Sequence, residues 1–409
     1  MLEPERRTRA DLMTAAGIAV LALLAALAVW VGSDARQTDS ATAATTLAPP
    51  PAAGTVPTAL RELWQVPDPV SDRVLISGAV LITGEGGTVT GRDATSGAEL
   101  WHYRRDLPLC GLETQFGTVI ATYRADRGCS ETTMLAADTG ARRTARSSYL
   151  DGAVQLTVDG TYTLAKGDRR LEVWRSDLVR TLEYGYVDAP VNVKTQPRRG
   201  CELRSAASSA SRLAVLERCP EDASTRLTVL DPAPKDNTVP EEFGSRVLTS
   251  PGADAPGARV LAVTDNRILL ALPGGPGPDG TVATPRLEVY DGTGNGVATH
   301  ELSSPLAESA TLTRIGSAAL LFTGNSVIAL NLTTFDPLWV ATEAIGSPAT
   351  MAGRLLLPAP GAILVLDPIT GEVLGRIQVE RGADAGPVAL AVSGSTVLEL
   401  RNGRVHALG

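Results

Sequence analysis

Residues 93–103, DATSGAELWHY, place a carboxylate, a glycine turn, an indole and an imidazole in one short stretch. An Asp and a His held close by a tight turn are the residue types of an acid–base pair or of two metal ligands. The rest of the chain gives such a pair little to work with. Histidine occurs three times, as His102, His300 and His406. There is no H-E-x-x-H zinc helix, no G-x-S-x-G nucleophile elbow, no P-loop and no strand–G-x-G-x-x-G–helix unit. DGTGNG at 291–296 approximates a calcium loop, but the twelfth position is Leu302 where the loop needs a bidentate Glu. Turn chemistry accounts for the same residues more simply. Asp93 can accept the backbone N–H groups that start a turn, Gly97 supplies positive φ, and Trp101 begins a strand face. By strand alternation His102 points to the face opposite Trp101, toward solvent. The expectation is therefore no catalytic, cofactor-binding or metal residue.

The four cysteines also bear on chemistry. CGLETQFGTVIATYRADRGC runs from Cys110 to Cys129, and CELRSAASSASRLAVLERC from Cys201 to Cys219. Each reads as a Cys, a strand, a turn, a second strand and a Cys. The start of one strand of an antiparallel hairpin lies beside the end of the next. This local symmetry favours Cys110–Cys129 and Cys201–Cys219 over the other two connectivities. The alternative is four buried free thiols. Zinc is disfavoured because no C-x2-4-C spacing exists. Each closure would contribute about 3 kcal/mol through loop entropy.

Disulfides need an oxidising compartment, and the N-terminus supplies a route to one. Arg6, Arg7 and Arg9 precede residues 12–32, which carry no charge and are long enough to cross a bilayer as a helix. The arginines predict a cytoplasmic tail over 1–11, a transmembrane helix over 12–32 and an extracytoplasmic body in a single-pass cell-membrane protein, with Trp30 at the far interface. A cleaved signal peptide is the alternative. Residues 33–58 are rich in Ala, Thr, Ser and Pro and almost lack large apolar side chains, so they read as a disordered stalk. The net charge of −8 and the absence of long basic runs exclude a nucleic-acid partner held by phosphate neutralisation.

The body, 59–409, is a series of short Val/Ile/Leu-rich runs bounded by Gly, Asp, Asn and Pro, the pattern of an all-β protein. One unit recurs: a strand ending in Asp or Asn, a Gly turn, and a second strand. TVTGRDATSGAELWHYR (88–104) is its clearest form. TMLAADTGARRTARS (133–147) and AILVLDPITGEVLGRIQV (362–379), the latter with Asp367 and Gly371, repeat it. SVIALNLTTFDPLWVA (326–341), with Trp339, is a looser copy. With a strand pair upstream of each, the units have the arithmetic of a β-propeller blade. Eight blades are expected. Seven is the alternative, since the unit around 145–186 is weakly marked. The last unit lacks an outer strand, and residues 60–66, LRELWQV, match GAELWHY with Trp64 aligned on Trp101. They are expected to close the ring by pairing with the C-terminal blade. Trp64, Trp101 and Trp339 fall on the same strand of their units and are expected to pack between blades.

The D-x-x-[ST]-G-x-x-[LV]-W pattern, as Asp93, Ser96, Gly97, Leu100 and Trp101, resembles the PQQ-like (quinoprotein-type) β-propeller repeat. With the apolar N-terminal span and the stalk, the whole resembles single-pass envelope propeller proteins of actinobacteria and, more distantly, the outer-membrane assembly factor BamB. The resemblance implies either a quinoprotein-like oxidoreductase or a non-catalytic scaffold. Quinoproteins of this type would show two adjacent cysteines and calcium ligands. No two cysteines are adjacent here, which favours a binding or scaffold module with no cofactor and an envelope-protein or cell-wall partner. The alternative is an envelope enzyme whose site is assembled from distant loops.

Overall fold

The computed structural model describes residues 8–33, 36–188, 190–276, 282–382 and 386–409. Arg6 and Arg7 lie outside these residues. The described body is all-β. Eight sheets succeed one another along the described chain as the blades of a propeller, antiparallel except where Gly346–Ser347 pair in parallel with Val388 and Ala389 of the eighth. Blades 1 to 7 span 75–105, 109–147, 155–185, 202–247, 259–301, 311–342 and 349–378. The weakly marked unit is blade 3, so the count is eight and not seven.

Blade 8 takes three strands from 388–408 and its outer strand, Glu62–Pro67, from the other end of the body. Trp64 lies opposite Ala407, Val66 opposite Val405 and Pro67 opposite Arg404. Reciprocal backbone bonds between Arg61 and Gly409, at 3.0 and 3.1 Å, extend the pairing to the last residue. This joint closes the ring with main-chain hydrogen bonds, leaving no open seam between the first and last sheets.

The core has an unusual distribution. It is not one mass of apolar side chains but eight, and each lies between two successive blades. Leu75, Ile82 and Val89 of blade 1 meet Val119, Tyr123 and Leu135 of blade 2. The pattern runs round to Leu398, Val405 and Ala407 of blade 8 against Leu81 and Ala94 of blade 1. The third strands are covered on both faces: every residue of Arg170–Trp174 and of Thr396–Arg401 is buried. Burial on both faces removes the simple polar–apolar alternation expected of a one-sided strand.

Strand direction sorts the connections onto two faces. The turns between first and second strands and between third and fourth strands share one face, called here the turn face. The turns between second and third strands and the blade-to-blade connections share the other, the connection face. Leu109 N, at the start of blade 2, accordingly bonds Gly86 O in the second–third turn of blade 1 at 2.8 Å.

The expectation of a disordered stalk over 33–58 is corrected from Thr38 onward. Thr38–Ala41 form a fifth strand on the outer edge of blade 1, with Thr38 opposite Arg105 and Ala41 opposite His102. Beyond it, Ala43 N bonds Thr139 O in blade 2 at 3.0 Å. The chain then crosses the turn face. Pro50 packs so close to Gly394 that a Cβ there would come within 2.9 Å of it. Ala53, Val56 and Leu60 join the core between blades 7 and 8. Composition misleads at this point because the apolar surface is supplied by the blades. The segment contributes small side chains and stiff prolines, which lose little conformational entropy on docking.

Helix α1 spans Arg9–Val31, beginning three residues before the uncharged run. The reason is a capping box: Asp11 N donates to Thr8 Oγ1 at 3.2 Å, and Thr8 N donates to Asp11 Oδ2 at 2.7 Å. α1 is long and apolar enough to cross a membrane, and none of its residues is buried against the body.

Candidate functional site

The repeat residues lie at blade interfaces. Asp93 Oδ1 accepts the Thr95 and Ser96 N–H groups at 2.7 and 3.4 Å, and Gly97 (φ 74°) bonds back to Asp93 O at 2.8 Å. Asp367 accepts from Ile369 and Thr370 at 2.9 and 3.0 Å in the same way. These backbone bonds hold its carboxyl below the ordinary range. The glycines carry a second duty. The Trp64 indole, from blade 8, lies on Gly97 of blade 1. Trp101, from blade 1, lies on Gly140 of blade 2, and Trp339, from blade 6, lies on Gly371 of blade 7. A Cβ at Gly97, Gly140 or Gly371 would approach the ring to 2.7, 2.6 or 2.6 Å. Trp64 Nε1 donates to Thr95 O at 2.7 Å and Trp101 Nε1 to Ala137 O at 3.0 Å, while Trp339 Nε1 is buried without a hydrogen-bond partner among the described residues. Between blades 5 and 6 the sizes are exchanged. The strand residue is Ala298, and the turn offers buried Phe335 at φ 62°.

Cys110 is bonded to Cys129 and Cys201 to Cys219, with Cα separations of 5.9 and 4.2 Å. Both cross-links sit at the connection face, in blades 2 and 4. Glu221 lies near the second pair, but sulfurs bonded to each other offer a metal no thiolate.

The three histidines each face a carboxylate. His102 is half-buried under the added strand; its Nδ1 is 2.7 Å from Glu99 and its Nε2 is 3.6 Å from Asp39 on that strand. His300 Nε2 is 3.4 Å from Asp336, and His406 Nδ1 is 3.0 Å from Glu62 across the closing joint. The basic turn at 197–200 is only partly exposed, because Arg198 turns inward to Glu217 and Glu242 at 3.4 and 3.5 Å.

The strongest electrostatic features are buried carboxylates that sequence reading missed. Glu172 accepts from Arg170 at 2.7 Å, Trp174 Nε1 at 2.8 Å and Ser148 at 2.9 Å, with Arg146 at 3.0 Å. Burial opposes its ionisation, but Arg146 and Arg170 outweigh that and hold the carboxyl below its usual range. Glu399 takes two nitrogens of Arg381, with contacts of 2.7–3.0 Å. Glu288 pairs with Arg286 at 2.8 Å and with the Tyr290 hydroxyl at 2.6 Å. Glu217 accepts from Thr228 at 2.6 Å and Tyr184 at 2.8 Å, and burial pushes its carboxyl up to about 7. Burial likewise pushes Asp68 up to about 6, against bonds from Gly84 N at 2.9 Å and Ser71 at 3.0 Å. The signal was present as a repeated third-strand pattern: RLEVW (170–174), RLEVY (286–290) and VLELR (397–401).

The Glu217 shift has a pH consequence. Its folded value lies above the ordinary 4.5, so its contribution is fully present below about 4.5 and is lost as pH rises through about 7. Glu217→Gln mimics the protonated form. The variant should therefore gain on the unmodified chain by on the order of 1–3 kcal/mol between pH 5 and pH 8. Scanning calorimetry at the two pH values checks this, and an equal difference in Tm at both would exclude it.

Two recesses open on the turn face. One, of about 290 Å³, lies where Pro49, Pro50, Ala52 and Ala53 cross Gly78, Met351 and Gly394. The other, of about 380 Å³, is formed by turns of blades 4, 5 and 6 and lined by Arg212, Arg267, Asp291, Thr293 and Thr333 among others. None of the buried carboxylates lines either recess. Asp291 is committed to its own turn, accepting from Thr293 and Asn295.

No family model and no curated protein matches this sequence. Solved structures do match in fold. BamB from Moraxella catarrhalis aligns with a TM-score of 0.53 and 16% identity, over 86% of this chain and 99% of that one. The computationally designed Ika8 protein aligns with a TM-score of 0.53 and 16% identity, over 88% and 98%. The C-terminal WD40 domain of Sif2 aligns with a TM-score of 0.51 and 12% identity, over 87% and 99%.

Proposed function

We propose that this chain is a single-pass membrane protein whose propeller works outside the cytoplasm as a non-catalytic binding module. One observation carries the reading. The carboxylates with raised affinity for protons, Asp68, Glu113 and Glu217, are buried and bonded to the ring's own groups, whereas the two recesses on the turn face are lined by turns and by the crossing segment 49–53. A rigid ring that presents turns from several blades on one face suits recognition of another macromolecule more than bond-breaking. The partner is an envelope protein or a cell-wall component that meets the turn face. The N-terminal arginines put the short tail in the cytoplasm, and two disulfides suit a body in an oxidising compartment.

Crosslinking in the intact envelope, followed by mass spectrometry, tests the assignment. The expected result is one reproducible partner crosslinked through turn-face residues such as Arg267 and Thr333. Crosslinks scattered over all faces with no recurring partner would overturn it.

A further inference from the structure

The docked segment changes how far the body can stand from the membrane. If 33–58 were free, the propeller could drift far from the bilayer. With Thr38 already paired to blade 1, only residues 32–37 join the end of α1 to the ring. Six residues span at most about 20 Å when fully extended. The point of attachment is also specific. Thr38 lies opposite Arg105, and Asp106 N bonds Gln37 O at 3.3 Å, so the chain reaches the ring at the connection face of blade 1.

On that face, beside the attachment point, blades 2 to 4 carry a distinctive surface. The Arg127 guanidinium lies over the Tyr149 ring at 4.6 Å. Arg169 and Arg199 both lie over Tyr186, at 4.8 and 5.2 Å. At the outer rim of the same blades, the long connection between blades 3 and 4 holds out Val191 and Val193, 81% and 75% exposed, with Asn192 Nδ2 donating to Thr238 Oγ1 of blade 4 at 2.8 Å and Gln196 Nε2 to Glu183 O at 3.2 Å. Tyrosine rings with stacked guanidinium groups and protruding aliphatic side chains are what the bilayer interface accommodates. The rings and valines enter the headgroup region, and the arginines reach phosphate. Asp126, Asp168 and Asp188 lie on the same face. They offset much of its positive charge, so insertion of apolar groups, more than net charge, provides the attraction.

We propose that the connection face of blades 2–4, with the rim beside it, rests on the phospholipid headgroups of the membrane that holds α1, through Tyr149 and Tyr186 on the face and Val191 and Val193 on the rim, with Arg127 and Arg199 at phosphate depth. The proposal rests on the membrane-anchor reading above. It leaves the turn face, with both recesses, directed away from the bilayer.

The test uses the full chain in vesicles of phosphatidylcholine with or without phosphatidylglycerol, and in detergent micelles, read by hydrogen exchange. In vesicles the segments 147–152 and 190–200 should exchange at least about threefold more slowly than in micelles, while the turn-face segments 209–212 and 264–267 should not change. The double variant Val191→Ser, Val193→Ser, on exposed positions, should abolish the slowing and keep the fold. Equal protection in both vesicle types supports insertion as the main term, and greater protection with phosphatidylglycerol adds a contribution from arginine–phosphate contacts. A chain that floats with the vesicles but shows no slowing overturns the proposal alone. A chain that fails to float overturns the anchor reading and the proposal with it.

Discussion

Replacing Trp101 with alanine should destabilise the propeller by roughly 3–5 kcal/mol, the cost of emptying a fully buried aromatic site. Trp101 is 1% exposed and is clamped between two glycines. A Cβ at Gly91, its cross-strand neighbour, would come within 2.1 Å of the indole, and one at Gly140 of the next blade within 2.6 Å. The void therefore has backbone on both sides and cannot collapse easily. The Trp101 Nε1 donor also leaves Ala137 O without its bond. The blade 5–6 interface suggests how the loss can be reduced. There a small strand residue, Ala298, is matched by a large turn residue, Phe335, at positive φ. The pair Trp101→Ala with Gly140→Phe reproduces that exchange. Its cost should be lower than the sum of the two single costs by on the order of 1–3 kcal/mol, the usual range for contacting residues. Denaturant unfolding of the four chains measures the coupling, and strict additivity would show that the two positions do not share a site.

Glu399→Ala should cost about 3–5 kcal/mol for a different reason, since it leaves a buried charge without its counterion. The Arg381 side chain is 2% exposed and gives two nitrogens to Glu399. Its remaining contacts are the carbonyl oxygens of Ala359 and Ala362 at 2.8 and 2.9 Å, which orient the guanidinium but do not neutralise it. Arg401, at 3.4 Å from Glu399, keeps Glu62 at 3.5 Å, so the unpaired charge falls on Arg381. Replacing both members, Arg381→Met with Glu399→Leu, should be markedly milder than Glu399→Ala, because no charge is left behind. Thermal unfolding distinguishes the cases: if the double replacement is as damaging as the single one, the pair matters for its shape and not for its charge.

Much of the architecture was legible because turns and strand ends are written locally. Asp93, Gly97 and Trp101 reveal the unit, and Trp64 in its echo points to the joint where the ring closes. The symmetric cysteine hairpins reveal both pairings by the same local logic. The unreadable parts depend on what a segment meets. Residues 38–58 look disordered because the apolar partners of Ala53 and Val56, such as Met351 and Val388, lie hundreds of residues away. Glu172 and Glu399 look like ordinary strand carboxylates, because nothing local tells that both faces of the third strands are covered. The blade 6 turn was a loose copy because Phe335 occupies the glycine position, and only the facing Ala298 explains it.

The added strand on blade 1 also has a mechanical meaning. Any pull transmitted along α1 arrives at Thr38 and acts along the axis of Thr38–Ala41, toward the connection face. Antiparallel hydrogen bonds run across the strands, so this load shears them together and does not open them one after another. Behind them, the crossing over the turn face and the joint at Glu62–Pro67 take up the remaining tension. The propeller is thus moored by a geometry that shares force among many bonds.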